Sequence, residues 1–214
     1  MKPQTRASEG EAAPSGRSAL PGDGRRSDFV KRAILVGGAG IAGAMIAGSP
    51  RSTDAAQLSQ PDLEALNLIL LVEYTEGAFY DEALRRRRLQ GKLLDYAKAV
   101  SAQEKEHLEF VRSALGGRAE DEPDFDFGDK TGDPDAFAAA AGDLEDLAVA
   151  AYNGQGTNVT PKTLAAAATI VSVEARHAAW IRSIVGEPPA PDATDSPKSA
   201  DEVLTGLRQA GLRR

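Results

Sequence analysis

From Asp62 onward, apolar residues recur at intervals of three and four, the period of one face of a helix. The first such stripe runs through Leu66, Leu70, Glu73, Gly77, Tyr80 and Leu84. It opens at Pro61, whose missing N–H costs nothing in a first turn, and Asp62 and Glu64 suit the positive end of the helix dipole. The second stripe is Leu93, Ala97, Val100, Glu104, Leu108, Val111 and Leu115, ended by Gly116-Gly117. Asp133-Pro134 reads as a cap and first-turn proline for the third: Phe137, Ala141, Glu145, Ala148 and Tyr152, broken by Asn153-Gly154-Gln155-Gly156. Thr160-Pro161 repeats that signature. The fourth stripe follows it as Leu164, Ala167, Ile170, Val171, Glu174, His177, Ile181 and Val185, up to Gly186.

Four helices of this kind predict an all-α, up-down four-helix bundle over residues 57–186. The connection near Arg88 to Gly91 is short and makes its helices antiparallel neighbours, whereas the acidic stretch after Gly117, with Phe125 and Phe127, is a longer crossover between helices 2 and 3. Residues 187–214 read as a Pro- and Asp-rich linker followed by a short C-terminal helix. Ser199 and Glu202 form its capping box, and Val203, Leu204 and Leu207 are the residues expected to dock on the bundle.

The chain before the bundle has a different pattern. Residues 1–24 are rich in Gly, Pro, Ser and charge without an apolar period, the composition of a disordered tail. Residues 25–56 begin with Arg25-Arg26-Ser27-Asp28-Phe29-Val30-Lys31-Arg32 and continue into an uncharged run from Ala33 to Gly48, a basic region followed by an apolar one. This is expected to be an export signal, resembling the twin-arginine type but with two residues, not one, between Arg26 and Phe29. The alternative is a membrane anchor, but the run falls short of the roughly 20 residues that span a bilayer. The expected location is therefore outside the cytoplasm, periplasmic or extracellular, with membrane contact only through this segment.

Composition narrows the chemistry. There is no cysteine among 214 residues, which excludes disulfides, zinc fingers and iron–sulfur clusters, so any metal must use oxygen and nitrogen ligands. The net charge of -7, with a slightly basic N-terminal tail, argues against nucleic acid as a partner. Arg85, Arg86, Arg87 and Arg88 form a basic run that reads as a solvated helix end.

The charged residues inside the apolar stripes carry the functional signal. The chain has two histidines, and each follows a glutamate at a spacing of three: Glu104-Lys105-Glu106-His107 and Glu174-Ala175-Arg176-His177. Residues three apart share a helix face, so each pair can aim a carboxylate oxygen and an imidazole nitrogen at one metal. Glu73 and Glu145 lie in the stripes of the other two helices. Four ionised carboxylates in one core would repel strongly, and a pair of divalent cations solves that problem.

The order Glu, Glu-x-x-His, Glu, Glu-x-x-His is the ligand inventory of ferritin-like di-iron and di-manganese bundles. The segments Leu71 to Tyr80, Glu145 to Tyr152 and Val173 to Ala179 resemble an exported bacterial ferritin-like domain family. This resemblance implies that Glu73 and His107 are terminal ligands of one metal, Glu145 and His177 of the other, and that Glu104 and Glu174 bridge the two. Glu76, one step round the helix beside Ile69, Val72 and Phe79, is an alternative or an assistant to Glu73. Tyr80 and Tyr152 are read either as donors to ligand carboxylates or as core, and Trp180 either as core or as a residue lining the site.

Four carboxylates and two imidazoles suit two iron ions, with manganese as the alternative; zinc is disfavoured by the missing thiolates and calcium by the imidazoles. Three functions then compete: an oxidase or ferroxidase reacting with O2 or peroxide, a protein sequestering iron under stress, and a structural bundle with a vestigial site. A storage shell is not expected; a monomer or dimer is.

Overall fold

A computed structural model describes residues 58–213. The tail and signal expected over residues 1–24 and 25–56 lie outside them. Five α-helices are present among the described residues: α1 Gln60–Arg86, α2 Gly91–Leu115, α3 Pro134–Gln155, α4 Pro161–Val185 and α5 Ala200–Ala210. None of them is long and apolar enough to cross a membrane.

The caps explain where the helices start and stop. Ser59 caps α1 in a reciprocal box with Asp62, and Pro61 sits in the first turn. Asp133 and Thr160 accept backbone N–H groups at the starts of α3 and α4, each followed by a proline. Ser199 and Glu202 form the expected box at α5. The α1–α2 turn closes on Arg87, a non-glycine residue in the left-handed conformation at φ 54°. The run Arg85 to Arg88 is exposed, as a solvated helix end should be.

Side-chain contacts fix the topology. Tyr80 meets Tyr96 near the α1–α2 turn while Asn67 reaches Arg118 at the other end, so α1 and α2 are antiparallel. The ring of Phe79 stacks on Phe137, and Tyr152 reaches Glu73, so α3 also runs against α1. Asp62 accepts from Thr160, which places the start of α4 beside the start of α1. Helices α2 and α3 therefore point the same way, and the crossover between them must travel the length of the bundle.

That crossover is tied down at two points. Asn67 accepts from the backbone of Glu120, and Tyr74 donates to the Glu120 carbonyl. A short strand β1, Asp124–Phe125, pairs antiparallel with β2, Leu212–Arg213, in the register Asp124 with Arg213 and Phe125 with Leu212. Helix α5 docks as expected, with Val203 and Leu207 buried. The strand pair is an addition to the expected all-α pattern: with two residues in each strand, it has no periodicity to read.

Two stripe positions are exposed. Leu164 and Val185, at the ends of α4, face solvent. The tetrapeptide Asn153 to Gly156 also acts differently from a simple stop, because α3 continues through Gln155. Gly154 lies where the C-terminal linker crosses the helix: a Cβ there would stand 1.8 Å from the Lys198 carbonyl oxygen. The Lys198 N–H donates to Ala150 at 3.0 Å and holds the linker in place. Gly154→Ala is expected to lower stability by about 1–3 kcal/mol, the usual cost of overpacking. Thermal denaturation beside Asn153→Ala, an exposed neighbour expected to be neutral, checks this.

Candidate metal centre

The apolar interior divides into two clusters. One contains Leu70, Leu115, Ile170, Val203 and Leu207; the other contains Phe79, Tyr96, Phe137 and Ile181. The same helices bring a layer of polar groups into the core: Glu73, Glu76, Glu104, His107, Glu145, Glu174 and His177 are all buried. Each reaches the interior because it occupies a position on an otherwise apolar helix face, so the helices that bury the core bury the charges with it.

All six residues expected from the ligand pattern meet. Ligand atoms of Glu73, Glu104, His107 and Glu174 lie within 4.8 Å of one another, as do those of Glu104, Glu145, Glu174 and His177. Glu104 and Glu174 belong to both groups. Nδ1 of His107 is 2.7 Å from Glu174, 3.2 Å from Glu104 and 3.8 Å from Glu73. Nδ1 of His177 is 3.1 Å from Glu104, 3.3 Å from Glu145 and 3.3 Å from Glu174. One imidazole N–H cannot satisfy three carboxylates arriving from three helices. One buried oxygen each of Glu73, Glu104, Glu145 and Glu174 faces a histidine Nδ1 that it shares with other carboxylates, and both oxygens of Glu76 are buried without a hydrogen-bond partner. Under-satisfied carboxylate oxygens converging with imidazole nitrogens fit cations, and four carboxylates match the charge of two divalent ions.

Neighbouring groups orient the cluster. Tyr152 donates to Glu73 at 2.5 Å, and Tyr80 and Tyr96 both donate to the same oxygen of Glu145, Tyr96 at 3.1 Å. Nε2 of His177 lies 2.5 Å from the amide oxygen of Gln103. An amide oxygen only accepts, so Nε2 carries a hydrogen and Nδ1 is the nitrogen turned toward the carboxylates, free to bind a metal once it gives up its own proton, the arrangement that orients a metal-binding histidine. Tyr80 and Tyr152 thus take the donor reading. Trp180 does neither of the things expected of it: it stands at the bundle surface with its ring edge against Tyr96. Gln103 and Tyr96 escaped sequence reasoning, since a glutamine beside a motif and a tyrosine beside a stripe carry no signal of their own.

The electrostatics record how crowded the site is. Burial opposes charge on His107, but hydrogen bonds with Glu104 and Glu174 and the field of Glu73 outweigh it and carry its pKa up to about 11. In the same way Glu104, Glu145 and Glu174 overcome burial at His177 and carry it to about 12. Burial raises Glu145 to about 7 despite the nearby His177. Glu174 goes the other way, to about 2, because two histidines outweigh its burial. Burial, and then the neighbouring carboxylates, push Glu73 and Glu76 well above the ordinary range.

Glu76 differs from Glu73. Its strongest couplings are to Glu104, Glu174, Glu145 and Glu73, all repulsive, and no donor reaches it. Glu76→Met is therefore expected to stabilise the metal-free protein by about 1–3 kcal/mol, the scale of an unsatisfied buried polar group removed. Melting in excess chelator checks the sign; a lower melting temperature would mean that the carboxylate has a partner worth keeping.

An antiparallel helical bundle with a long crossover and a carboxylate–histidine cluster at its centre defines a ferritin-like protein, and the cluster is compatible with a metal site. The chain belongs to the ferritin-like domain family, whose model matches residues 61–187. No curated protein matches it in sequence.

Proposed function

We propose that the cluster binds two metal ions, iron first and manganese second, with Glu73 and His107 on one ion, Glu145 and His177 on the other, and Glu104 and Glu174 shared. The observation that carries this reading is the sharing itself: two ligand groups on four helices have Glu104 and Glu174 in common. Glu76 supplies a further carboxylate on the α1 side. Tyr152, Tyr80, Tyr96 and Gln103 hold the ligands in orientation through the hydrogen bonds described. Bound iron would supply one-electron redox chemistry toward O2 or peroxide. The protein's part is to keep the ligands dry, pre-oriented and close in number to the charge they must balance.

Within this reading, ferroxidase or oxidase activity and iron sequestration are separated by one measurement. Oxygen consumption during Fe(II) addition signals turnover; tight binding without oxygen uptake signals sequestration. Elemental analysis of protein from iron-replete and manganese-replete cells tests the site, and protein free of both metals from both sources would leave the vestigial reading in its place.

We also propose that the protein acts outside the cytoplasm as a monomer or dimer. Support for the location comes from the basic and apolar pattern of residues 25–56. Changing Arg25 and Arg26 to lysine is expected to retain the protein in the cytoplasm, read by fractionation. Unchanged secretion would rule out the twin-arginine route.

A further inference from the structure

Trp180 is the single tryptophan of the chain and, at 41% exposure, one of three large apolar side chains open to solvent among the described residues. Its exposure is explained neither by the core nor by the ligand set. What it touches is informative. Its ring meets Tyr96 edge-on, with centroids 5.3 Å apart. Tyr96 meets Tyr80 with centroids 5.9 Å apart and hydroxyls 3.0 Å apart. Both hydroxyls bond to one oxygen of Glu145, and the other oxygen of Glu145 faces His177. The most readily oxidised aromatic side chains of a protein, tryptophan and tyrosine, thus form an unbroken line from solvent to the buried cluster.

We propose that Trp180, Tyr96 and Tyr80 form a relay that passes single electrons between a one-electron donor at the protein surface and the buried centre. The acceptor rests on the metal reading above: it is an oxidised iron or manganese ion beside Glu145. Tunnelling falls off steeply with distance, so a buried centre exchanges electrons with an outside donor fastest through intermediate stations. Three features make this line suited to that task. It begins at an exposed ring, each step is a ring contact, and each tyrosine hydroxyl has a carboxylate oxygen as hydrogen-bond partner. A tyrosine that gives up an electron must also release its phenolic proton, and a general base within hydrogen-bond reach is the requirement for doing so. The proton moves to Glu145 as the electron leaves and returns when the next electron arrives from Trp180. In the net step the donor loses one electron, the oxidised ion gains it, and no proton is consumed.

The relay can be tested on the metal-free protein, separately from metal binding. A photogenerated ruthenium(III) polypyridyl complex in solution oxidises exposed aromatic rings on a flash. Transient absorption of the wild-type protein is expected to show a tryptophan radical that decays into a tyrosyl radical. In Trp180→Phe both signals should fall to background, because the four tyrosines are buried or nearly so. In Tyr96→Phe the tryptophan radical should persist without a tyrosyl successor. A tyrosyl yield in Trp180→Phe equal to wild type, or a wild-type tryptophan radical that never passes to tyrosine, overturns the relay. Circular dichroism of each variant confirms folding. In the iron-loaded protein, re-reduction of the oxidised ions by an outside donor, followed by iron absorbance, should slow in Trp180→Phe at unchanged iron content. An unchanged rate also overturns the proposal, whereas loss of iron from the wild type defeats only the metal reading.

Discussion

Removing metal is expected to lower the melting temperature sharply at pH 8 and hardly at all near pH 5. The sign follows from how each group titrates in the metal-free fold. His107 and His177 have folded pKa values of about 11 and 12 against 6.5. Their protonation therefore stabilises the metal-free protein fully below pH 6.5, and that contribution is lost as pH rises toward 11 and 12. Glu145 is raised to about 7, and Glu73 and Glu76 also lie well above 4.5, so the cost of holding them ionised is absent below 4.5 and grows as pH rises. Both sets make the metal-free protein less stable as pH rises from about 5 to 8. Glu174 opposes them only in acid, where its contribution is lost as pH falls from 4.5 to about 2.

Metal acts in the opposite direction. It replaces the protons on the inward-facing nitrogens and oxygens, so its affinity weakens as pH falls. Free metal at 100 times its dissociation constant adds about 2.7 kcal/mol, and a domain of this size shifts by about 2–4 °C per kcal/mol, so the gap at pH 8 should be roughly 5–10 °C. It should grow with the logarithm of free metal. Melting curves with chelator, Fe(II) or Mn(II) at both pH values decide the matter. A gap of equal size at pH 5 and pH 8, or none at either, would remove the cluster from the protein's metal chemistry.

The second large effect is expected from the shared carboxylates. Glu104→Ala or Glu174→Ala should leave almost no metal bound, because each removes a ligand from both ions at once. Glu145→Ala, which touches only the group containing His177, should leave close to half the wild-type content. His107→Ala and His177→Ala should behave like Glu145→Ala. All five should remain helical, since the two apolar clusters on either side of the polar layer are untouched. Elemental analysis after gentle purification, with circular dichroism beside it, reads both quantities. Equal metal loss from Glu104→Ala and Glu145→Ala would remove the sharing on which the two-ion assignment depends.

Much of this molecule was legible in the sequence because its information is local. Caps at Asp133, Thr160 and Ser199 act through backbone groups two or three residues away, and a stripe at three- and four-residue spacing names its own buried face. The two Glu-x-x-His pairs were legible for the same reason: a spacing of three puts both side chains on one face whatever packs against it. The repulsion among four buried carboxylates then argued for a common site before any geometry was known.

Tertiary structure decided what periodicity cannot resolve. Glu73 and Glu76 lie about 60° apart around a helix axis, so both fall within one buried face, and only the packing of α2, α3 and α4 gives Glu73 a tyrosine donor and leaves Glu76 with none. Gln103 acquires its role from His177, 74 residues away, and Tyr96 from Tyr80 and Glu145. The exposure of Leu164 and Val185 depends on where the neighbouring helices end, and Gly154 on where a linker crosses. The sequence by itself determined the helices, their faces and the six polar residues carried inward. Only the assembled bundle decided which oxygens meet which nitrogens, because those contacts join positions that no local period relates.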